Sequence, residues 1–223
     1  DFINNMTHEL KTPISTISLS SEMLLRMPNG EDFNKIKRYA GIIYDENKRL
    51  EHQVERVLNV AKLDKDKLVL NKEKINIEEI LVQLSENFKL IENKEGSEIL
   101  LEIGEGSHEI VADPVHITNV IHNLTDNGLK YSGKNANITI STSRSDKELI
   151  IHFIDQGIGI KKEHIKSIFE KFYRVPTGNI HDVKGYGLGL YYVKLIVESH
   201  QGTILVQSTL NKGSTFTIKL PSS

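Results

Sequence analysis

The chain contains no cysteine among its 223 residues. Disulfides are therefore excluded, and so is any zinc or iron–sulfur site built on thiolates. The absence fits a reducing compartment. No apolar run approaches the roughly 20 residues that span a bilayer, and no leader-like segment is visible, so no direct membrane contact is expected of this stretch. Charge of one sign is also missing: 28 Lys and Arg stand against 30 Asp and Glu, for a net charge of −2. That balance gives no reason to expect nucleic acid or an anionic membrane surface as a partner. There is no initiator Met. Asp1-Phe2-Ile3 reads as the interior of a helix, and the chain as an excised fragment.

What is present falls into two halves with different periodicity. Up to about residue 64, core-compatible residues recur at Ile3, Met6, Leu10, Pro13, Ile17, Ser20, Leu24 and Met27, alternating steps of three and four. That is a heptad seam. Met27-Pro28-Asn29-Gly30 has strong turn chemistry. The seam then resumes at Phe33, Ile36, Ala40, Ile43, Asn47, Leu50, Val54, Val57 and Ala61. Two such helices form an antiparallel hairpin, and a hairpin cannot cover its own seam. Pairing two of them gives a four-helix bundle, so a homodimer is expected. A monomer whose hairpin packs on the second half is the alternative.

Beyond a short linker at Asp64-Lys65-Asp66-Lys67, short strand-like runs alternate with helices. Strands are predicted at 68–70, 74–77, 99–103, 108–112, 138–142, 149–154, 203–207 and 214–219, and helices at 77–91, 116–131 and 188–199. This is an α+β sandwich, a mixed sheet with helices on one face. The predicted domains are 1–66, all-α, and 67–223.

In the first half, Ile3 at position a and Met6 at d put His8 at f, farthest from the seam. Thr12 follows one turn on, on the same outer face. A neutral imidazole on a rigid helix is a reachable nucleophile near pH 7. Glu9 can orient one ring nitrogen or take its proton while the other attacks. Pro13 removes an N–H and crowds the carbonyl of Glu9, so a kink or loosening is expected one turn after His8. Alone, an exposed histidine is unremarkable.

The second half carries three clusters. Asn123 and Asn127 lie one turn apart, with Lys130, Tyr131 and Ser132 just beyond. Amide oxygens suit Mg²⁺ bridging phosphates, and Lys130 adds a cation; two asparagines on an ordinary polar face are the plainer reading. Asp155-Gln156-Gly157-Ile158-Gly159 follows a strand. Its carboxylate can accept from an exocyclic amine such as that of adenine, or the segment is simply a tight turn. Gly185-Tyr186-Gly187-Leu188-Gly189 opens a helix, where backbone N–H groups hold phosphate. Its spacing matches neither the dinucleotide fingerprint nor a Walker A loop.

His8-Glu9-Leu10-Lys11-Thr12-Pro13, with Phe2 and Asn5 before it, closely resembles the H-box of sensor histidine kinases. The asparagine box, Asp155-x-Gly-x-Gly, Phe169-Glu170-Lys171-Phe172-Tyr173-Arg174, the glycine loop and Gly213-Ser214-Thr215-Phe216 resemble, in order, the nucleotide boxes of the same family. The resemblance covers nearly the whole chain. It implies that His8 is phosphorylated from ATP with Mg²⁺, that Glu9 assists, and that a response-regulator aspartate receives the phosphoryl group. It further implies that Thr12 serves dephosphorylation of that regulator by helping to position water. Asp155 would bind the adenine amine, Asn127 and Asn123 the Mg²⁺ and phosphates, and Lys130 and Arg174 phosphate oxygens. Tyr131 would lie beside the base, with Gly157, Gly159, Gly185, Gly187, Leu188 and Gly189 around the nucleotide. Residues 173–186 would form a lid over ATP, anchored by Phe169 and Phe172. ATP and such a partner imply the cytoplasmic side of a membrane-anchored parent.

Two departures from the family pattern are Gly128, where Ala is usual, and Tyr186, where a smaller residue is usual; both are expected to tune packing. Related ATPases of the gyrase and chaperone type activate water with a Glu one turn before the metal-binding Asn. Here that place is Asn123, which cannot act as a base, so transfer to a protein nucleophile is favoured over hydrolysis. A dimeric scaffold that binds nucleotide without chemistry is the other alternative.

Overall fold

The computed structural model describes residues 2–27, 32–62, 68–91, 96–133, 135–175 and 187–222, with 2–9, 52–62 and 90–91 described by their backbone alone. The chain divides into two compact units, Asp1–Lys67 and Leu68–Val183 with Gly187–Ser223. The predicted linker at 64–67 lies outside the described residues.

The first unit is a pair of packed helices, α1 (Phe2–Leu25) and α2 (Phe33–Lys62). On α1, Pro13 and Ser20 are buried and Leu10, Ile17 and Leu24 half-buried, which is the predicted heptad stripe. The helix runs unbroken through Pro13, so the expected loosening does not interrupt it. On α2 the shielded positions are Tyr39, Ile42, Ile43, Glu46, Arg49 and Leu50, while the seam residues Phe33, Ile36, Ala40 and Asn47 stay exposed in the single chain. Phe33 is 74% exposed and Ile36 41%. One hairpin therefore leaves a row of apolar side chains in water, at an unfavourable ~25 cal/mol per Å².

The second unit is built on a five-stranded sheet of order β2-β4-β5-β7-β6: Glu98–Glu102, Asn137–Arg144, Glu148–Asp155, Gly213–Pro221 and Thr203–Thr209. Only β2 and β4 are parallel; β4–β5, β5–β7 and β7–β6 are antiparallel. Burial alternates along β4 and β5, the mark of a sheet covered on one face. That face meets α3 (Ile77–Ile91), α4 (Pro114–Ser132) and α5 (Gly189–Ser199). Ile138, Ile140, Ile151 and Ile218 from the strands and Ile117, Ile121 and Ile196 from the helices are at most 1% exposed. Each such side chain contributes about 1.5–3 kcal/mol of burial.

The remaining strands, β1 (Glu73–Asn76) and β3 (Glu109–Ala112), form a separate two-stranded antiparallel sheet, so the predicted strands near 74–77 and 108–112 do not join the main sheet. The strand predicted at 68–70 is absent. Val69 is 80% exposed, and the N–H of Asn71, just after this run, donates to the Asp113 carboxylate at 2.8 Å instead of to a strand. The helices start where their caps stand. Asn76 Oδ1 accepts from the N–H of Glu78, and its amide reaches Glu79. Asp113 Oδ1 accepts from the N–H of His116, with Pro114 opening α4. Both are first-turn donors with no partner inside the helix.

Candidate functional site

Helix α4 sets out the first group of side chains. Asn119, Asn123 and Asn127 recur every fourth residue, so they share a face opposite the buried Ile117, Ile121, Leu124 and Gly128. Asn123 Nδ2 donates to the carbonyl of Asn119 at 2.8 Å. That bond needs the NH₂ group, so it fixes the amide orientation and turns Oδ1 the other way. A β-carbon built on Gly189 would lie 2.9 Å from that oxygen. The first residue of α5 thus abuts the middle of α4, and the oxygen of Asn123 faces the glycine-rich N-terminus of α5.

At the C-terminal end of α4, Tyr131 is 36% exposed and the Lys130 ammonium lies 5.9 Å from its ring centroid. Burial raises the Tyr131 pKa, and the charge of Arg174 opposes that rise. Arg174 is therefore within electrostatic reach of the same corner. The backbone there is tied across: the Phe172 N–H donates to the Gly187 carbonyl at 3.0 Å.

The Asp155 turn closes the third side. Asp155 ends β5 and is 8% exposed. Its Oδ1 accepts from the N–H of Gly157 at 2.8 Å and from the N–H of Ser214 at 3.2 Å. Burial raises its pKa, against the pull of these two N–H groups and the Ser214 hydroxyl. Ionised or neutral, the group keeps an oxygen able to accept a hydrogen bond. Gly157 lacks a side chain for a reason of space, since a β-carbon there would lie 2.6 Å from the Tyr131 carbonyl oxygen. The next N–H, of Ile158, donates to that same carbonyl at 3.1 Å. Gly159 has φ +65°, and a β-carbon on it would meet the Thr209 carbonyl at 2.1 Å. The turn is thereby bolted to α4 on one side and to the β6–β7 hairpin on the other.

The second unit thus brings together Asn123, Asn127, Lys130, Tyr131, Asp155, Gly157, Gly159, Arg174, Gly187, Leu188 and Gly189. Gly185, Tyr186 and the lid residues 176–186 lie outside the described residues. Just before the lid segment, Ile168 is buried, 5% exposed, and Phe169 and Phe172 are half-buried. Sequence reasoning also missed Ser214, although the motif containing it was evident; what was hidden was its pairing with Asp155. Gly128 is buried beside the same carboxylate, and a β-carbon there would meet Ile138 Cδ1 at 2.7 Å and Asp155 Cβ at 3.6 Å.

The donor set fits Mg²⁺ as this ion usually binds. Among the described residues no group of three or more His, Cys, Asp or Glu converges as a cage, and a hard amide oxygen, that of Asn123 on α4, faces the glycine-rich start of α5. Mg²⁺ takes one or two protein oxygens and completes its shell with phosphates and water.

In the first unit, His8, Glu9 and Thr12 all lie on α1. His8 and Glu9 are described by backbone alone. Thr12 is exposed, and its carbonyl accepts from the Thr16 hydroxyl at 3.1 Å. Among the described residues no helix is long and apolar enough to cross a membrane.

Comparison with known proteins matches residues 1–66 to the His Kinase A (phospho-acceptor) domain and residues 112–223 to the histidine kinase-, DNA gyrase B- and HSP90-like ATPase family. The sensor protein RprX of Bacteroides fragilis is 45% identical over 223 residues, covering 99% of this chain and 43% of that protein. The chain spans less than half the length of the curated relatives it matches. Two solved structures share the fold. Full-length ShkA in complex with AMPPNP has a TM-score of 0.74 at 22% identity, over 99% of this chain and 45% of that one. The histidine kinase ThkA in complex with the response regulator TrrA has a TM-score of 0.69 at 23% identity, over 99% and 61%.

Proposed function

The chain belongs to the sensor histidine kinases of two-component systems, and on that premise we propose that His8 takes the γ-phosphoryl group of ATP and passes it to an aspartate of a response regulator. The observation that carries the nucleotide half is the convergence of the Asp155 turn, the asparagine face of α4 and the N-terminus of α5. Asp155 accepts a hydrogen bond from the exocyclic amine of adenine. Tyr131 lies along the base. Lys130, Arg174 and the N–H groups from Gly187 to Gly189 hold phosphate oxygens. Asn123 and Asn127 would hold the Mg²⁺, which would supply neutralisation of phosphate charge.

A neutral His8 nitrogen forms the N–P bond as the bond from phosphorus to the bridging β–γ oxygen breaks, and ADP leaves. Glu9 steadies the other ring nitrogen or takes its proton. Catalysis is chiefly positioning and electrostatics, as in phosphoryl transfer generally. The domains are assigned as 1–66 for dimerisation and phosphotransfer and 67–223 for ATP. The exposed Phe33 and Ile36 support a homodimer through the hairpin. The solved ThkA–TrrA pair supports a receiver partner of the same kind. Thr12, exposed one turn beyond His8, supports a second activity, hydrolysis of the phosphorylated regulator. The sensor-protein relatives support a membrane-anchored parent with this part on the cytoplasmic side.

The test is incubation of the chain with γ-labelled ATP and Mg²⁺. Label on the protein that is lost in acid and stable in base is expected. Free phosphate with no protein adduct would turn the reading to an ATPase.

A further inference from the structure

One group of buried titratable residues plays no part in the chemistry above. It lies at the opposite ends of α4 and α5 from the glycine loop and the Asp155 turn. Asp113 caps α4 and His200 caps α5, and each is 4% exposed. The Asp113 N–H donates to His200 Nε2 at 3.0 Å. An N–H donor facing Nε2 requires a lone pair there, so the ring hydrogen sits on Nδ1, which donates to the Ile196 carbonyl at 2.8 Å. The Asp113 carboxylate is divided between two backbone donors: Oδ1 takes the N–H of His116 and Oδ2 that of Asn71. Asn71 belongs to the strap where the chain enters the second unit, and the next residue, Lys72, reaches the Ser199 carbonyl with its ammonium at 3.3 Å.

We propose that His200 and Asp113 form a proton-sensitive latch, which holds the entering strap against α4 and α5 only while His200 is neutral. Protonation from solvent places an N–H on Nε2, head-on to the Asp113 N–H. That hydrogen bond is lost, and the new imidazolium draws the adjacent carboxylate toward itself. Turning toward the imidazolium draws Oδ2 off the Asn71 N–H, and that bond yields before the one to His116 because Asn71 lies on the exposed strap whereas His116 is held in the first turn of α4. A cavity of about 310 Å³ lined by Asn71, Asp113 and His116 gives water a route to the carboxylate.

The groups facing His200 agree with this sense. Burial acts first to lower its pKa, and Lys72 on the strap and His116 on α4 add to that. The Ile196 carbonyl and the Asp113 charge oppose it, and the net shift is downward. Tyr192 of α5 holds His116 through its hydroxyl at 2.8 Å. The neutral latch is therefore complete above about pH 6.5, the ordinary histidine value, and fails as pH falls below it.

The latch goes beyond phosphotransfer and stands whether or not ATP is the ligand of the neighbouring site. Its test is NMR of the whole chain from pH 7.5 to 5.0, following the His200 ring nitrogens and the exchange of the Asn71 amide, corrected for intrinsic rate. The expected result is a shared midpoint below 6.5, with Asn71 protection falling at least tenfold across it. His200→Gln, whose amide oxygen can stand in for Nε2 without titrating, is expected to give a flat profile. Asn71 protection that stays constant while His200 titrates would overturn the latch. So would a His200 that never titrates, or a His200→Gln profile like that of the native chain. Failure to bind nucleotide, with the Asn71 profile as described, would count against the phosphotransfer reading and leave the latch intact.

Discussion

The N–H of Ser214 donates to Asp155 Oδ1 at 3.2 Å, from the facing position of the β5–β7 register. This bond joins the start of β7 to the carboxylate assigned to adenine, and it makes the behaviour of Asp155 predictable. Burial raises the folded-state pKa above the ordinary aspartate value. The stability this group contributes is thus fullest below the unfolded value and is lost as pH rises through the folded one. At neutral pH the ionised carboxylate works against the fold.

Asp155→Asn keeps an oxygen for the Gly157 and Ser214 donors and removes the buried charge. Calorimetry at pH 7 is expected to show a Tm unchanged or raised. Affinity for Mg·AMPPNP should fall about 10–100-fold, since an amide NH₂ now meets the adenine amine. A large loss of stability with affinity intact would contradict the assignment.

Two glycines beside the same turn should respond oppositely. Gly159→Ala places a β-carbon at φ +65° and 2.1 Å from a backbone oxygen, so the turn must move. The left-handed backbone alone costs about 1–2 kcal/mol, and nucleotide binding should be lost with it. Gly128→Ala clashes only with the tip of Ile138, its approach to Asp155 Cβ being an ordinary contact, and a side-chain tip can shift where a backbone oxygen cannot. Overpacking by one methyl group costs about 1–3 kcal/mol and replacing a helical glycine with alanine returns about 0.5–1 kcal/mol, so a net cost of about 0–2.5 kcal/mol is expected in denaturant unfolding.

The hairpin prediction concerns Phe33 and Ile36, exposed in the single chain. Phe33→Lys combined with Ile36→Lys is expected to convert a dimer to a monomer in sedimentation equilibrium. A monomeric native chain, or a dimer that survives both changes, would refute the proposed interface.

Thr12→Ala separates the two proposed activities. Autophosphorylation should stay within about threefold of the native rate, while loss of phosphate from a phosphorylated receiver slows at least tenfold, about 1.4 kcal/mol of barrier. Equal effects on both would remove the special role of Thr12.

Local pattern makes much of this fold legible in the sequence. Helix α3 was readable to its ends because apolar residues at 77, 80, 81, 84, 88 and 91 carry the helical period and Asn76 caps the start. The β4–β5 hairpin was readable from two apolar runs around Ser145-Asp146-Lys147. Leu68-Val69-Leu70 misled because a strand needs a partner backbone, and the nearby Asn71 donor is claimed by a carboxylate 42 residues away. The separate β1–β3 sheet, the Asp155–Ser214 bond and the Asp113–His200 bond were hidden for the same reason. Each joins residues far apart in sequence, and periodicity carries no record of such pairings. The site residues were legible as motifs, but their mutual contacts were not.

The most direct measurement is phosphopeptide mapping, kept at alkaline pH, of the chain after reaction with Mg·ATP, beside His8→Gln and Asn127→Ala. The account predicts one phosphorylated peptide, with the group on His8, and none in either variant. A phosphoryl group elsewhere, or one that persists in His8→Gln, would contradict it.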